Sequence, residues 1–242
     1  MSHPRSLPFI FNLEDELSVW RYKSFYTKEP ETIKWLEYIA KYKTSPNLID
    51  VGSNIGLYSL YLLSLSSNTK IISIEPFEKN SIHQKQLLNL NGFLSRVELI
   101  THPVSNQKGF MYEKVNDLRP AGSGYKLSKI GEEPNGSKLV FVETLDSILK
   151  NRDETFNLKI DVDGEDFEVL QGANISLRNG LIDSILIEAS ELLHKKIELY
   201  LEAFKLIYDH RFNNLVSHSD KRRRLQNKLE RNRVYTKESL VS

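Results

Sequence analysis

Two short apolar runs, NLIDV (47–51) and KIISIE (70–75), are each bounded by breakers and separated by a helical stretch. This arrangement constrains the fold more than any other feature. NLIDV lies between Pro46 and Gly52, and KIISIE ends at Pro76. Apolar, β-branched runs of this length between breakers read as buried strands. Helices are read over about 57–64 and 80–91, and a third strand, RVELIT, over 96–101. Strands that return every 20–25 residues with helices between them must be parallel, because only a crossover brings the chain back. The expectation is an α/β fold, a doubly wound sheet with helices on both faces.

The pattern pauses and then resumes. GFMYEKV (109–115) and KLVFVET (138–144) read as strands around a loop, 118–138, rich in Gly, Pro, Ser and Lys. A loop of that length inside a domain is read as a lid. FNLKID (156–161), a helix near 167–173, DSILIEA (183–189) and a helix near 194–204 follow. Before the first strand, residues 31–42 place Ile33, Leu36, Ile39 and Ala40 at helical spacing after Pro30. The chain is therefore divided into an N-terminal helical extension (1–45), an α/β domain (46–219) and a C-terminal tail (220–242).

The tail is where charge matters. Residues 221–233 carry seven basic residues and one acid, against a net charge of +1 for all 242 residues. The remainder is net −5. The tail is read as a solvated helix with Leu225 and Leu229 on one edge, its alternative being a contact with an anionic partner. A balanced total charge gives no general reason to expect nucleic-acid binding. The absence of cysteine excludes disulfides, Cys-ligated zinc, iron–sulfur clusters and a Cys nucleophile. Neither an export signal nor an apolar run approaching roughly 18 residues is visible, so no membrane insertion is expected and a cytoplasmic setting is taken as the default. Homo-oligomerisation stays open.

In an open α/β sheet, ligands bind outside the carboxyl ends of the strands. LIDVGSNIG delivers Asp50, then Gly52, Ser53, Asn54 and Gly56, to that edge. The turn is neither a dinucleotide fingerprint nor a phosphate loop. A carboxylate before it suits an ammonium and would repel a pyrophosphate. Glu75, 25 residues after Asp50, reads as an acceptor for ribose hydroxyls. A ligand with an amine and a ribose but no pyrophosphate points to S-adenosylmethionine, and counts against an NAD-linked dehydrogenase. LKIDVDGEDFEVLQGA then places Asp161, Asp163, Glu165 and Asp166 within six residues. Asp163 and Asp166 read equally as helix caps. Asp161 ends a strand, and Glu188 in ILIEAS stands beside it if the two strands are neighbours.

These motifs, in this order, resemble the FkbM-type family of S-adenosylmethionine-dependent O-methyltransferases. LIDVGSNIGLYSL resembles its cofactor motif, IISIEPF its ribose segment, VETLDSIL its T-L-D segment, and KIDVDGEDFEVLQGA its hallmark. Glu29–Pro30 fits a further family pattern. The likeness runs from about Tyr26 to Ala189. It implies a Rossmann-like, seven-stranded class I methyltransferase sheet with one antiparallel strand, and methyl transfer to a hydroxyl, usually of a sugar or glycan. Three departures stand out. Asp163 and Asp166 replace the family's usual Glu, Glu165 replaces a frequent His, and Pro103 precedes the Val-Ser pair of the adenine-side loop.

The cofactor residues expected are Asp50, Gly52, Ser53, Asn54, Gly56, Glu75, Pro76, Phe77 and Ser105. The catalytic candidates are Asp161, Glu188 and His194, with His102 a weaker base. Asp161 and Glu188 could act as base or as ligands to Mg²⁺, and both versions stay open. Ser123, Tyr125, Lys126 and Glu165 are the expected contacts of a small-molecule or glycan acceptor. The rival from another class is a non-catalytic methyltransferase-like module that docks through the basic tail.

Overall fold

The computed structural model describes residues 6–12, 16–116, 124–214 and 230–237. Its centre is β1 (Leu48–Val51), flanked by β2 (Ile71–Ile74) and β7 (Phe156–Ile160), all buried on both faces. Strands this apolar can only sit inside a sheet covered on both sides. With β3 (Val97–Ile100), β8 (Ile182–Ser190), β9 (Leu206–Tyr208) and β10 (Glu230–Lys237) the sheet has seven strands. Their order is β3-β2-β1-β7-β8-β10-β9. β1, β2, β3, β7 and β8 are parallel neighbours, and β10 runs antiparallel to β8 and β9.

β10 corrects the reading of the tail. Glu230 to Arg233 pair with Ser190 to Ile187 on β8 and are not a solvated helix, and the sheet does not end at residue 219. The strand reads as basic because Arg231 and Arg233 alternate with inward-facing Asn232 and Val234. Charge hid a period of two. Leu225 and Leu229 lie outside the described residues.

The two faces carry separate cores. One joins Ile49, Ile160, Ile187 and Tyr235 to α6 (Asp166–Gln171), α7 (Asn174–Arg178) and α8 (Glu191–Glu202). The other joins Leu48, Leu186 and Val234 to α2 (Pro30–Tyr42), α3 (Leu57–Leu65) and α4 (Glu78–Leu90). Pro30 starts α2 at a position where its missing N–H costs nothing. Trp35, Leu36 and Ile39 are then fully buried, each contributing about 1.5–3 kcal/mol. Ahead of α2 lies α1 (Glu16–Lys28), which the hydrophobic periodicity did not reveal.

β4 (Gly109–Val115), β5 (Tyr125–Ser128) and β6 (Lys138–Val142) form a separate antiparallel sheet. The expected loop 118–138 therefore contains a strand. It pairs Tyr125 with Val115 and Ser128 with Tyr112.

Candidate active site

β1 leaves the sheet at Gly52, whose N–H donates to the Ile74 carbonyl at 3.0 Å. A Cβ on Gly52 would stand 2.0 Å from the Asp161 carbonyl oxygen, so the turn lies directly on the exit of β7. Only glycine allows that approach. Ser53 donates to Gln84 at 3.2 Å, and Asn54 adopts a left-handed φ of 53°. That twist aims the Asn54 N–H at Glu75 Oε2, 2.8 Å away, while the Phe77 N–H holds Oε1 at 2.9 Å. Burial pushes the Glu75 carboxyl up to about 7 against the pull of these two N–H groups. Each oxygen keeps capacity for a further donor.

Beside Glu75 is a narrow, mainly apolar slot lined by Val51, Ile74, Pro76, Val104, Tyr125 and Leu127. The slot's inner cover is thus the small sheet. Asp163 tethers that cover, accepting from the N–H groups of Gly124 at 2.5 Å and Tyr125 at 3.0 Å. Lys126 is exposed on the opposite face of β5 and does not line the slot. Ser105 is turned away too, since its hydroxyl bonds to Glu165. Both border a wider cavity of about 550 Å³ below β4. Asp166 is structural: it accepts from the Val162 N–H at 3.0 Å. Ser123 lies outside the described residues.

The other end of the crevice is built on β7. The register places Lys159 opposite Asp50, and Asp161 follows on the same face. Lys159 is 1% exposed, with its Nζ 3.5 Å from Asp50 Oδ1 and 3.1 Å from Asp161 Oδ2. Burial alone would lower the pKa of this ammonium, but Asp161 and Asp50 hold it above its ordinary value. Asp50 also accepts from Ser59 at 2.7 Å. It is wholly buried and committed to the protein's own cation. The charge that faces Asp50 in the structure is the protein's own ammonium.

β7 and β8 are neighbours, and their register carries Asp161 to Glu188. Burial resists ionisation of Asp161, but Lys159 and Lys28 outweigh it and keep the carboxylate well below its usual range. Burial and then the Asp161 charge push Glu188 up to about 9. One proton therefore resides on Glu188 and is donated toward Asp161, as two close carboxyls cannot both ionise. Above them, α1 contributes Arg21, Ser24, Phe25 and Lys28 to a cleft whose floor is Gly52, Ser53, Asn54, Tyr58, Lys159 and Asp161. Tyr58 donates to Glu29 at 2.8 Å, and Lys28 pairs with the other oxygen of Glu29.

His194 is not at this site. It is fully buried, on the opposite face of the sheet. One ring nitrogen lies 3.1 Å from the Tyr235 hydroxyl and the other 2.8 Å from the Arg231 carbonyl. It ties α8 to β10, and burial lowers its pKa to about 4. The Mg²⁺ version of the site also lacks support. Among the described residues no group of three or more His, Asp or Glu could hold a metal ion, and the cation beside Asp161 is Lys159.

Lys159, Arg21 and Lys28 were not singled out from the sequence, and Glu29 only as part of a family pattern. Lys159 had a signal: it is the one charge inside the buried strand FNLKI, where a charge needs a partner.

The strand order, the single reversed strand, the glycine turn and the acid after β2 define a class I S-adenosylmethionine-dependent methyltransferase. The chain belongs to the FkbM methyltransferase family: the family model for the methyltransferase FkbM domain matches residues 50–212. No curated protein matches the chain. Among solved structures it is similar to the human methyltransferase 10 domain containing protein (12% identity, 86% of this chain, 82% of that one, TM-score 0.47). It is also similar to TrmK of M. capricolum in complex with S-adenosyl-homocysteine (12% identity, 84% and 68%, TM-score 0.45). The residues present fit S-adenosylmethionine. Glu75 accepts from the N–H groups of Asn54 and Phe77 at the end of β2, and the slot adjoining it is mainly apolar.

Proposed function

We propose that the protein methylates a hydroxyl oxygen of a sugar or glycan, in the cytoplasm, and that Asp161 receives the hydroxyl's proton. The observation that carries this reading is Asp161 itself: its side chain is 28% exposed, lines the cleft, and stands between Lys159 and Glu188. When bound, S-adenosylmethionine supplies a methyl group already activated by its sulfonium. The chain's task is then orientation and proton removal.

In this reading Glu75 fixes the ribose, and the turn Gly52–Gly56 sets the depth of the methionyl end. Asp161 would accept a hydrogen bond from the acceptor hydroxyl, orient its oxygen and take up its proton as the methyl group is transferred. Glu188 supports the carboxylate through the shared proton, and Lys159 keeps it charged. Among the described residues no helix is long and apolar enough to cross a membrane.

The test is Asp161→Asn. Affinity for S-adenosylhomocysteine should stay within a few fold while transfer to hydroxyl acceptors falls by at least about 100-fold. Full turnover in that variant would remove Asp161 from the mechanism. Tight cofactor binding without methylation of any acceptor would favour the docking-module reading instead.

A further inference from the structure

The polar row on the α2/α3 face does not stop at Glu188. The next strand is β10, and its register sets Asn232 directly opposite Glu188. Partners facing each other across an antiparallel pair share one face. Asp161, Glu188 and Asn232 therefore stand side by side on three adjacent strands at the carboxyl edge.

Asn232 is 8% exposed, and among the described residues its carboxamide oxygen has no hydrogen-bond partner. A buried acceptor left unsatisfied is costly, and native chains keep few of them. One other side-chain atom of this row lacks a partner, Asp50 Oδ1, but Lys159 lies 3.5 Å from it. The place of Asn232 in the sheet does not demand an amide. Val234, two residues along on the same face, is fully buried among apolar side chains.

We propose that Asn232 is an acceptor-binding residue that hydrogen-bonds a second hydroxyl of the substrate, next to the one methylated at Asp161. This rests on the hydroxyl-methylation reading above and sharpens it. The row presents an ionised acceptor at Asp161, a protonated carboxyl at Glu188 and an amide oxygen at Asn232. Such a row matches a polyol or a sugar ring better than a lone hydroxyl on an apolar molecule. The residue lies beyond 50–212, the span of the family match, so it is a feature by which this chain can differ from its relatives.

The experiment compares the full-length protein with Asn232→Leu and Asn232→Ala. If the amide is kept for the substrate, Asn232→Leu raises the melting temperature of the ligand-free protein, because an orphaned polar atom is replaced by apolar contact. A lower melting temperature for Asn232→Leu, with near-normal stability for a polar Asn232→Ser, would make Asn232 a structural residue and overturn the proposal. Affinity for S-adenosylhomocysteine should be unchanged in all variants. Transfer is then measured from labelled S-adenosylmethionine to methyl glycosides of hexoses and 6-deoxyhexoses, and to their monodeoxy analogues. For a glycoside that the wild type methylates, Asn232→Ala should lower kcat/KM by about 10-fold or more. It should also lose the preference for the parent sugar over the analogue lacking the neighbouring hydroxyl. An unchanged preference would overturn the proposal. Methylation of no glycoside by the wild type would overturn the sugar reading, while the melting temperatures still decide whether Asn232 is held for a ligand.

Discussion

Glu75 and Glu188 are both buried glutamates at the carboxyl edge of one sheet, and the chain treats them differently. Glu75 is held by two backbone N–H groups, from Asn54 and Phe77. Glu188 faces a second carboxyl, Asp161, which faces the ammonium of Lys159. Neutral donors fix a carboxylate without removing its capacity to accept, which suits the binding of a ribose. A carboxyl pair with a cation holds one proton and can take up another, which suits proton removal. In the proposed reading the first half of the sheet binds and the second half reacts.

The comparison breaks most completely if the second half proves dispensable. A stop codon after Ser219 removes β10 from between β8 and β9, leaving two unpaired edges and opening the core at Val234 and Tyr235. Soluble folded protein should be lost, as followed by circular dichroism and size-exclusion chromatography. A folded truncation that still binds S-adenosylhomocysteine would separate the halves and return the tail to its sequence-based reading.

Lys159→Met leaves Asp50 and Asp161 facing each other's charge in a buried site. Removing one partner of a buried ion pair costs about 3–5 kcal/mol. Urea denaturation should show a loss of that size, partly recovered by Asp50→Asn in the same background. A fall below about 1 kcal/mol would mean that Lys159 is not what balances the row.

Glu75→Ala tests the binding half. Loss of charge-assisted bonds to the ribose should weaken S-adenosylhomocysteine binding by about 1.5–3 kcal/mol at pH 8, measured by calorimetry. The same variant should bind S-adenosylhomocysteine with less pH dependence than the wild type, because the carboxyl that ionises near pH 7 is gone. Unchanged affinity in a folded variant would remove the ribose assignment.

The smallest effect is a slope. Glu188 keeps its proton up to about pH 9 in the folded protein and loses it near 4.3 when unfolded. The folded state then binds more protons, so stability falls as pH rises through that window. Asp166 and Glu75 act in the same direction but are half-titrated near pH 7 and nearly finished about a unit above it. His194, depressed to about 4, acts oppositely and only below about pH 6.5. Above about pH 8 the slope belongs mainly to Glu188, at no more than about 1.4 kcal/mol per pH unit. Glu188→Gln should flatten it, and an equal slope in both proteins would mean that Glu188 is not the group that holds the extra proton.

The sequence by itself determined the local elements and their rhythm. NLIDV, KIISIE and FNLKI could only be buried strands, and the turn after Asp50 and the acid after KIISI could only meet at one edge of a parallel sheet. It also determined the family, because the motifs occur in a fixed order along the chain. What it could not determine was which strands touch and which face each side chain takes. Asp50 looked like a ligand group until β7 brought Lys159 opposite it. His194 looked like a base until α8 packed on the far face. Residues 230–237 looked like solvated tail until antiparallel pairing with β8 buried Asn232, Val234, Tyr235 and Thr236. Spacing along a chain records period, but register and face are set by the collective burial of distant apolar residues. A slip of one position inverts every side chain of a strand. Only the folded sheet therefore decided that Asp161, Glu188 and Asn232 stand in one row.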